Sequence, residues 1–283
     1  MRTDARQPPV AAGSAAATAA IELANAADAQ AGVRTRPATG LEVDRVLALF
    51  EATWGAGRGP DRSMLQAIAH AGNTMLLAVP APETLASPAP RPAEGAILGA
   101  TLGFLGWEGG VHLHSHMNAV DPVARGRGIG LALKLRQRAI CLEHGIDEIR
   151  WTYDPLIRRN ARMNLVRLGA EVAAFRPDFY GRLDDAITGA DRSDRFEVRW
   201  RLASARTARA LDRRPQPAWS VRGGFALVAD FEALRADAPA DAARLRERSH
   251  EAFAALAGSG LRPELDAAGD YVFTNDDPDR EAE

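Results

Sequence analysis

The sequence predicts an α+β fold: a mixed β-sheet flanked by helices, followed by a smaller α/β extension toward the C-terminus. Three observations carry this expectation. Apolar runs of period two and of period near 3.6 succeed each other in the order strand, helix, helix, three strands, helix, strand, helix, two strands. Two strands are joined by the hairpin-type turn Gly109-Gly110, whereas others are separated by whole helices, so antiparallel and parallel pairings must coexist. Beyond residue 205 a strand, a long amphipathic helix and a short strand repeat the alternation on a smaller scale.

Each element has a local cause. Residues 1–31 are dominated by alanine and contain no aromatic residue, which reads as a disordered leader; a frayed helix over 15–29 is the alternative, since alanine has the highest helix propensity. Either way the leader is expected to stand outside the active fold. Residues 33–36 suit a short strand, and 41–54 place Val43, Val46, Leu47 and Phe50 on one helical face. A second helix over 61–71 is stopped by Gly72-Asn73, and 74–79 read as a buried strand. Residues 80–94 hold five prolines, which suits a surface loop and neither a helix nor a central strand.

The hairpin follows, with strands over 96–107 and 111–120. Leu131, Leu135, Ala139 and Leu142 then line one face of a helix over 131–144 that Gly145 stops. A strand over 146–153, a helix over 160–168 and strands over 171–175 and 196–202 complete a core unit expected to span 32–205. In the extension, 225–228 supply a strand and 271–273 another. Leu245, Ala252, Phe253 and Leu256 stripe a helix whose apolar face needs cover, so 206–275 are expected to pack on the core. Residues 276–283 form an acidic tail.

Composition narrows the function classes. With 35 Lys+Arg against 37 Asp+Glu, no global field draws the chain onto a polyanion, and nucleic acid is not the expected partner. The single cysteine, Cys141, excludes an internal disulfide and any cysteine-rich zinc scaffold, and it fits a reducing, cytoplasmic location. No stretch approaches the roughly 18 consecutive apolar residues of a membrane helix, so no membrane partner is expected.

The chemistry concentrates in Asn118-Ala-Val-Asp-Pro-Val-Ala-Arg-Gly-Arg-Gly-Ile-Gly130, which joins a strand to a helix. Gly126, Gly128 and Gly130 expose backbone amides and admit a close ligand approach, the helix N-terminus adds partial positive charge, and Arg125 and Arg127 add full charges. This combination suits a pyrophosphate. It is not a P-loop, because no Lys follows at the required offset. Nor is it a dinucleotide fingerprint, because Leu131 or Leu133 falls where the third glycine belongs.

The run Arg125-Gly126-Arg127-Gly128-Ile129-Gly130 after a hydrophobic strand resembles the pyrophosphate loop of the GCN5-related N-acetyltransferases, the GNAT superfamily. The element order over 33–202 is similar to that family's topology. SHMNAVDP, RGRGIGLALKLRQRA, WTYDPLIRRNARMNLVRLGA and DFYG look like one branch of predicted acyltransferases, and VADFEALRADAP with LRERSHEAFAALAGSG resembles that branch's final α/β segment. The resemblance implies acetyl-CoA or another acyl-CoA as co-substrate, without a metal. It implies a primary amine of a small metabolite or amino acid as acceptor, and it allows a homodimer. Residue by residue, Arg125, Gly126, Arg127, Gly128, Ile129 and Gly130 would hold the pyrophosphate; Asn118, Ala119 and Val120 would pair with the pantetheine arm and polarise the thioester carbonyl. Asn160 would contact the coenzyme arm; a helix N-cap is its other reading.

Amine acylation needs a group to take a proton from the nitrogen and one to return a proton to the thiolate. His112, His114 and His116 alternate along one strand, and His116, nearest the presumed thioester, is the candidate base. A packed core histidine is its alternative. Three histidines about 6.8 Å apart on one strand face also permit a zinc site. Tyr180 in DFYG is the candidate acid by analogy with the family, with a turn-anchoring role as the alternative. Trp54, Trp107, Trp151 and Tyr153 are candidates for an acceptor pocket or for core, and Asp154 either fixes its loop or holds a cationic acceptor. Two readings without acyl transfer remain open: a non-catalytic acyl-CoA-binding module, and a nucleotide-binding module.

Overall fold

The computed structural model describes residues 15–82, 95–181 and 191–281. Helix α1 (Ala15–Ala31) leads into strand β1 (Val33–Pro37). Helices α2 (Val43–Trp54) and α3 (Arg62–His70) follow, then strands β2 (Met75–Pro80), β3 (Gly99–Gly106) and β4 (His112–Val120). Helix α4 (Ile129–Glu143) connects to β5 (Glu148–Tyr153). Helix α5 starts at Arg158–Ala161 and continues as a π-helical turn over Arg162–Arg167 before β6 (Glu171–Arg176) and β7 (Arg195–Arg201). The chain closes with α6 (Ala205–Leu211), β8 (Gly224–Phe225), α7 (Phe231–Asp237), α8 (Pro239–Ala254), β9 (Arg262–Leu265) and β10 (Tyr271–Thr274). The proline-rich loop expected over 80–94 lies outside the described residues from 83 onward.

Among the described residues the main sheet runs β1-β2-β3-β4-β5-β7-β6, with β4 and β5 its one parallel pair; a second sheet runs β8-β10-β9. The expected α+β mixed sheet flanked by helices is therefore what the chain forms. Helix α2 buries Val43, Val46 and Phe50 against Met75, Leu77, Ala100 and Leu102 on one face. Helix α4 covers the other face, where Ile129, Ala132 and Leu133 meet Val33, Leu76 and Ala78.

The stretch expected as a disordered leader is, over Ala15–Ala31, a helix packed along α4. Ala17, Ala20, Ala24 and Ala31 are buried, and Asp28 accepts hydrogen bonds from Thr35 N (2.9 Å), Thr35 Oγ1 (2.8 Å) and Arg136 Nη2 (3.0 Å). Alanine needs no bulky anchor here, because its small side chain lets one helix backbone approach another closely. Deleting residues 1–31 removes the acceptor of the buried Thr35 donors and of the partly buried Arg136, as well as four buried methyl groups, so a loss of about 2 kcal/mol or more is expected. A fall in melting temperature of about 4–8 °C in a thermal scan checks this.

The C-terminal elements bury Phe225, Leu227, Phe231, Phe253, Tyr271 and Phe273 in one cluster with Trp151, Tyr153, Phe196 and Trp200 of β5 and β7. Polar ties cross the same boundary. Tyr153 and Tyr271 hydroxyls lie 3.1 Å apart, and Arg246 bridges Asp154 (2.9 and 2.6 Å) to Asp191. The acidic tail is bonded down as far as the described residues run: Asp279 accepts from Arg206 N at 3.0 Å and pairs with Arg201 at 2.6 Å.

Candidate functional site

The site is organised by the place where β4 and β5 part. Their parallel pairing is confined to Leu113↔Ile149 and His114↔Arg150; beyond these, no strand pairs with the β5 side of β4 among the described residues. On the β3 side, Leu102 pairs with Met117 and Gly103 with Ser115, so His116 has no partner and forms a bulge. The extra residue switches the faces of everything after it. Before the bulge Leu113 and Ser115 face α4; after it Met117 and Ala119 face α2, and Asn118 turns toward the N-terminus of α4, donating from Nδ2 to Gly130 O at 3.2 Å.

The same register decides which β4 amides are open. Asp121 N donates to Leu98 O at 3.0 Å and Ala119 pairs with Ala100. By the alternation of an antiparallel ladder, the amides of Asn118 and Val120 face the unpaired side. Ala119, expected to pair with the pantetheine arm, is thus engaged with β3 instead. Asn118 Oδ1 is buried and has no hydrogen-bond partner among the described residues, an acceptor left over beside the N-terminus of α4.

Immediately beyond lies the glycine loop. Gly126 (φ 79°) and Gly128 (φ 89°) are in the left-handed region, and nothing lies within 4 Å of where a Cβ would sit at either, so both backbones border open space. Gly128 is the N-cap of α4 and supplies no side-chain cap, which leaves the first amides of the helix, from Ile129 and Gly130, free to receive an anion. The Ile129 side chain is buried beneath them. Arg125 is exposed with no side-chain partner among the described residues. Arg127 is partly committed, donating to Ala31 O at 3.0 Å at the C-terminal end of α1. Asn160 lies in the first turn of α5, where Ile157 is the N-cap, so the capping alternative for Asn160 does not hold.

On the face away from α4 stand the candidate proton-transfer groups. The rings of His114 and His116 are 6.0 Å apart, and Phe104 lies 5.2 and 6.0 Å from them. His116 is open to solvent on one side, while the crowding on the other pushes its pKa below the ordinary value; burial together with the neighbouring histidines and Lys134 pushes His114 down to about 4. Tyr180 reaches this face from the loop after β6, its hydroxyl 3.0 Å from Thr152 Oγ1 on β5. Tyr180 and His116 thus occupy one sheet face on opposite sides of the splay. Glu197, paired with Arg176 at 2.7 Å, and Arg150, paired with Glu148, line the same face.

Other candidates are placed elsewhere. His112 is buried with Nδ1 2.8 Å from Gly110 O, and no group of three His, Cys, Asp or Glu suited to a metal occurs among the described residues. Trp151 and Tyr153 are buried on the α4 side, away from His116; Trp107 is exposed at the hairpin, so the four aromatics do not form one pocket. Asp154 is held by Arg246 and Leu156 N, which is the loop-fixing role. Cys141 is buried and its thiol pushed up to about 12, which removes it as a nucleophile.

One group of the site escaped the sequence reading. Lys134 of α4 is fully desolvated at the vertex of the splay, with Nζ 2.7 Å from Ser115 Oγ on β4 and 3.8 Å from the ring centroid of Trp151 on β5. Its signal was present: it stands three residues after Leu131 in a helix whose apolar stripe it interrupts.

No family model and no curated protein matches the sequence. Solved structures similar in fold include Naa50 of Arabidopsis thaliana in complex with a bisubstrate analogue. That chain is 16% identical, with 59% of this chain and 97% of that one covered and a TM-score of 0.45. A second is yncA, a putative acetyltransferase from Salmonella typhimurium with its cofactor acetyl-CoA (16%, 60% and 94%, 0.45). A third is diaminobutyrate acetyltransferase EctA from Paenibacillus lautus with L-2,4-diaminobutyric acid and coenzyme A (17%, 60% and 95%, 0.44). No helix among the described residues is long and apolar enough to cross a membrane.

Proposed function

We propose that this protein transfers an acyl group from coenzyme A to the amine of a small metabolite or amino acid, as the GNAT resemblance of its loop implies. The observation that carries the reading is the continuity of two open binding surfaces. The glycine loop and bare helix N-terminus suit a pyrophosphate, and the unpaired edge of β4 directly beside them suits an extended amide-bearing arm. Asn118 Oδ1, otherwise orphaned, is an acceptor for one of that arm's amide N–H groups.

In this scheme the amine attacks the thioester carbonyl, whose oxygen is received by β4 backbone N–H groups at the splay. His116, neutral at physiological pH because its pKa is depressed, takes the nitrogen's proton directly or through water. The carbon–sulfur bond breaks and the thiolate is protonated. Tyr180, on the outer face, is the donor that the family analogy names for that step.

Mass spectrometry of products after incubation with coenzyme A thioesters and an amine library tests the reaction; the absence of any acylated amine while the thioester binds favours a non-catalytic acyl-CoA-binding role instead. For the loop, Arg125→Ala removes a charge-assisted contact worth about 1.5–3 kcal/mol, so coenzyme A affinity falls at least tenfold. Gly128→Val, which also forces a branched residue to positive φ and needs a melting curve beside it, should match that loss. Calorimetry showing unchanged affinity in both folded variants sinks the loop assignment.

A further inference from the structure

Lys134 is an ammonium placed where the fold gives it no carboxylate. It is buried, its Nζ donates to Ser115 Oγ, and no Asp or Glu pairs with it among the described residues. The titratable groups that feel its charge are Cys141 on its own helix and His114 on β4. A chain of hydrogen bonds sets its direction: Gln137 Nε2 donates to Thr74 Oγ1 (2.9 Å), Gln137 Oε1 accepts from Ser115 Oγ (2.8 Å), and Ser115 therefore accepts from Lys134. Thr74, Ser115 and Gln137 are all buried, and Gly103 lies so close that a Cβ there would sit 2.6 Å from Thr74 Oγ1 and 2.9 Å from Gln137 Nε2.

The position of this ammonium is what gives it meaning. Ser115 and Trp151 are the first residues of β4 and β5 beyond their last pair, so the Nζ between them closes the inner end of the cleft assigned to the thioester. Ser115 and the π-face of Trp151 take two sides of it, which leaves one of its three N–H donors for a ligand.

We propose that the departing thiolate is protonated from the inner face of the sheet by the Lys134 ammonium, held in place by Ser115, rather than by Tyr180. This rests on the acyl-transfer reading above. As the carbon–sulfur bond breaks, its electron pair goes to sulfur, one Nζ–H proton moves to that sulfur to give the free thiol, and Lys134 is left as a neutral amine. It regains a proton from water when coenzyme A leaves, while His116 releases to water the proton taken from the acceptor nitrogen. Burial pushes the lysine down to about 7, an acidity suited to this exchange.

The experiment has one arm without turnover and one with it. Coenzyme A bound to the wild-type protein is titrated by thiolate ultraviolet absorbance from below the lysine's pKa upward; while Lys134 still carries its proton, the thiol should ionise at least tenfold more readily than in Lys134→Met, because the nearby cation stabilises the thiolate. In turnover at saturating substrates, wild-type kcat should fall as pH rises through the lysine's pKa. Lys134→Arg, protonated throughout, should lose that alkaline limb while keeping measurable activity; Ser115→Ala should lower kcat and keep the limb. If Lys134→Met does not fold, the Arg and Ala variants decide.

A bound thiol with the same ionisation in wild type and Lys134→Met, or an alkaline limb that Tyr180→Phe removes and Lys134→Arg leaves, overturns the proposal. Coenzyme A failing to bind at all overturns the acyl-transfer reading, and this inference with it. A protein that binds it, shows the thiol shift and acylates nothing keeps Lys134 at the sulfur but removes its role in turnover.

Discussion

A chain ended after Ala205 is expected to lose its cooperative thermal transition altogether. The removed segment carries Phe225, Phe231, Phe253, Tyr271 and Phe273, and without them Tyr153 and Phe196 of the main sheet lose the rings packed on them. Phe253 is the centre of this packing, with ring centroids 4.6 Å from Phe196, 5.1 Å from Phe225 and 5.4 Å from Tyr271. Truncation also strips Asp154 of Arg246, leaving a largely buried carboxylate without its bidentate partner. The milder Phe253→Ala should cost about 3–5 kcal/mol, since it opens a cavity where the surrounding rings cannot all close in. Circular-dichroism melts check both variants. A truncated chain melting cooperatively at the wild-type temperature means that the extension is an independent unit rather than part of this core.

His116→Ala is expected to lower turnover about 100-fold while leaving coenzyme A affinity near its starting value, because the ring stands at the bulge and not on the loop. The direction of the pH effect follows from the depressed pKa. As a base His116 acts in its neutral form, so the acidic limb of wild-type kcat, where activity falls as pH drops, lies below the ordinary histidine value. The variant should lose that acidic limb. His114→Ala is the control, since its ring is packed against Phe104 and its pKa of about 4 keeps it neutral in the same range. Equal losses in the two variants, with an acidic limb surviving in His116→Ala, remove His116 as the base.

Local pattern was enough where a residue's surroundings are its own neighbours in sequence. The apolar stripe of α4, the continuous apolar run of β2, the period-two alternation of β5, and Gly126 and Gly128 ahead of a helix are all of this kind: φ freedom and free amides belong to the segment that carries them. Tyr180 and His116 were both nominated by sequence, but their sharing a face rests on the loop after β6 bringing the Tyr180 hydroxyl to Thr152 on β5, a long-range contact that no local pattern carries.

What only the tertiary structure decided concerns relations across the sheet. Alanine's propensity already offers a helix over 15–29, but alanines 17, 20 and 24 carry no long-range signal, and their burial follows from α4 offering a surface that small side chains fit. The bulge at His116 is invisible in an alternating strand, yet it separates Ala119, bonded to β3, from Asn118 and Val120, open to the cleft. In sequence Lys134 is a charge set in an apolar helix, which does not by itself say that it is buried. Its burial depends on β4 and β5 parting just where Ser115 and Trp151 receive it, because desolvation is a property of the whole neighbourhood and of no single segment.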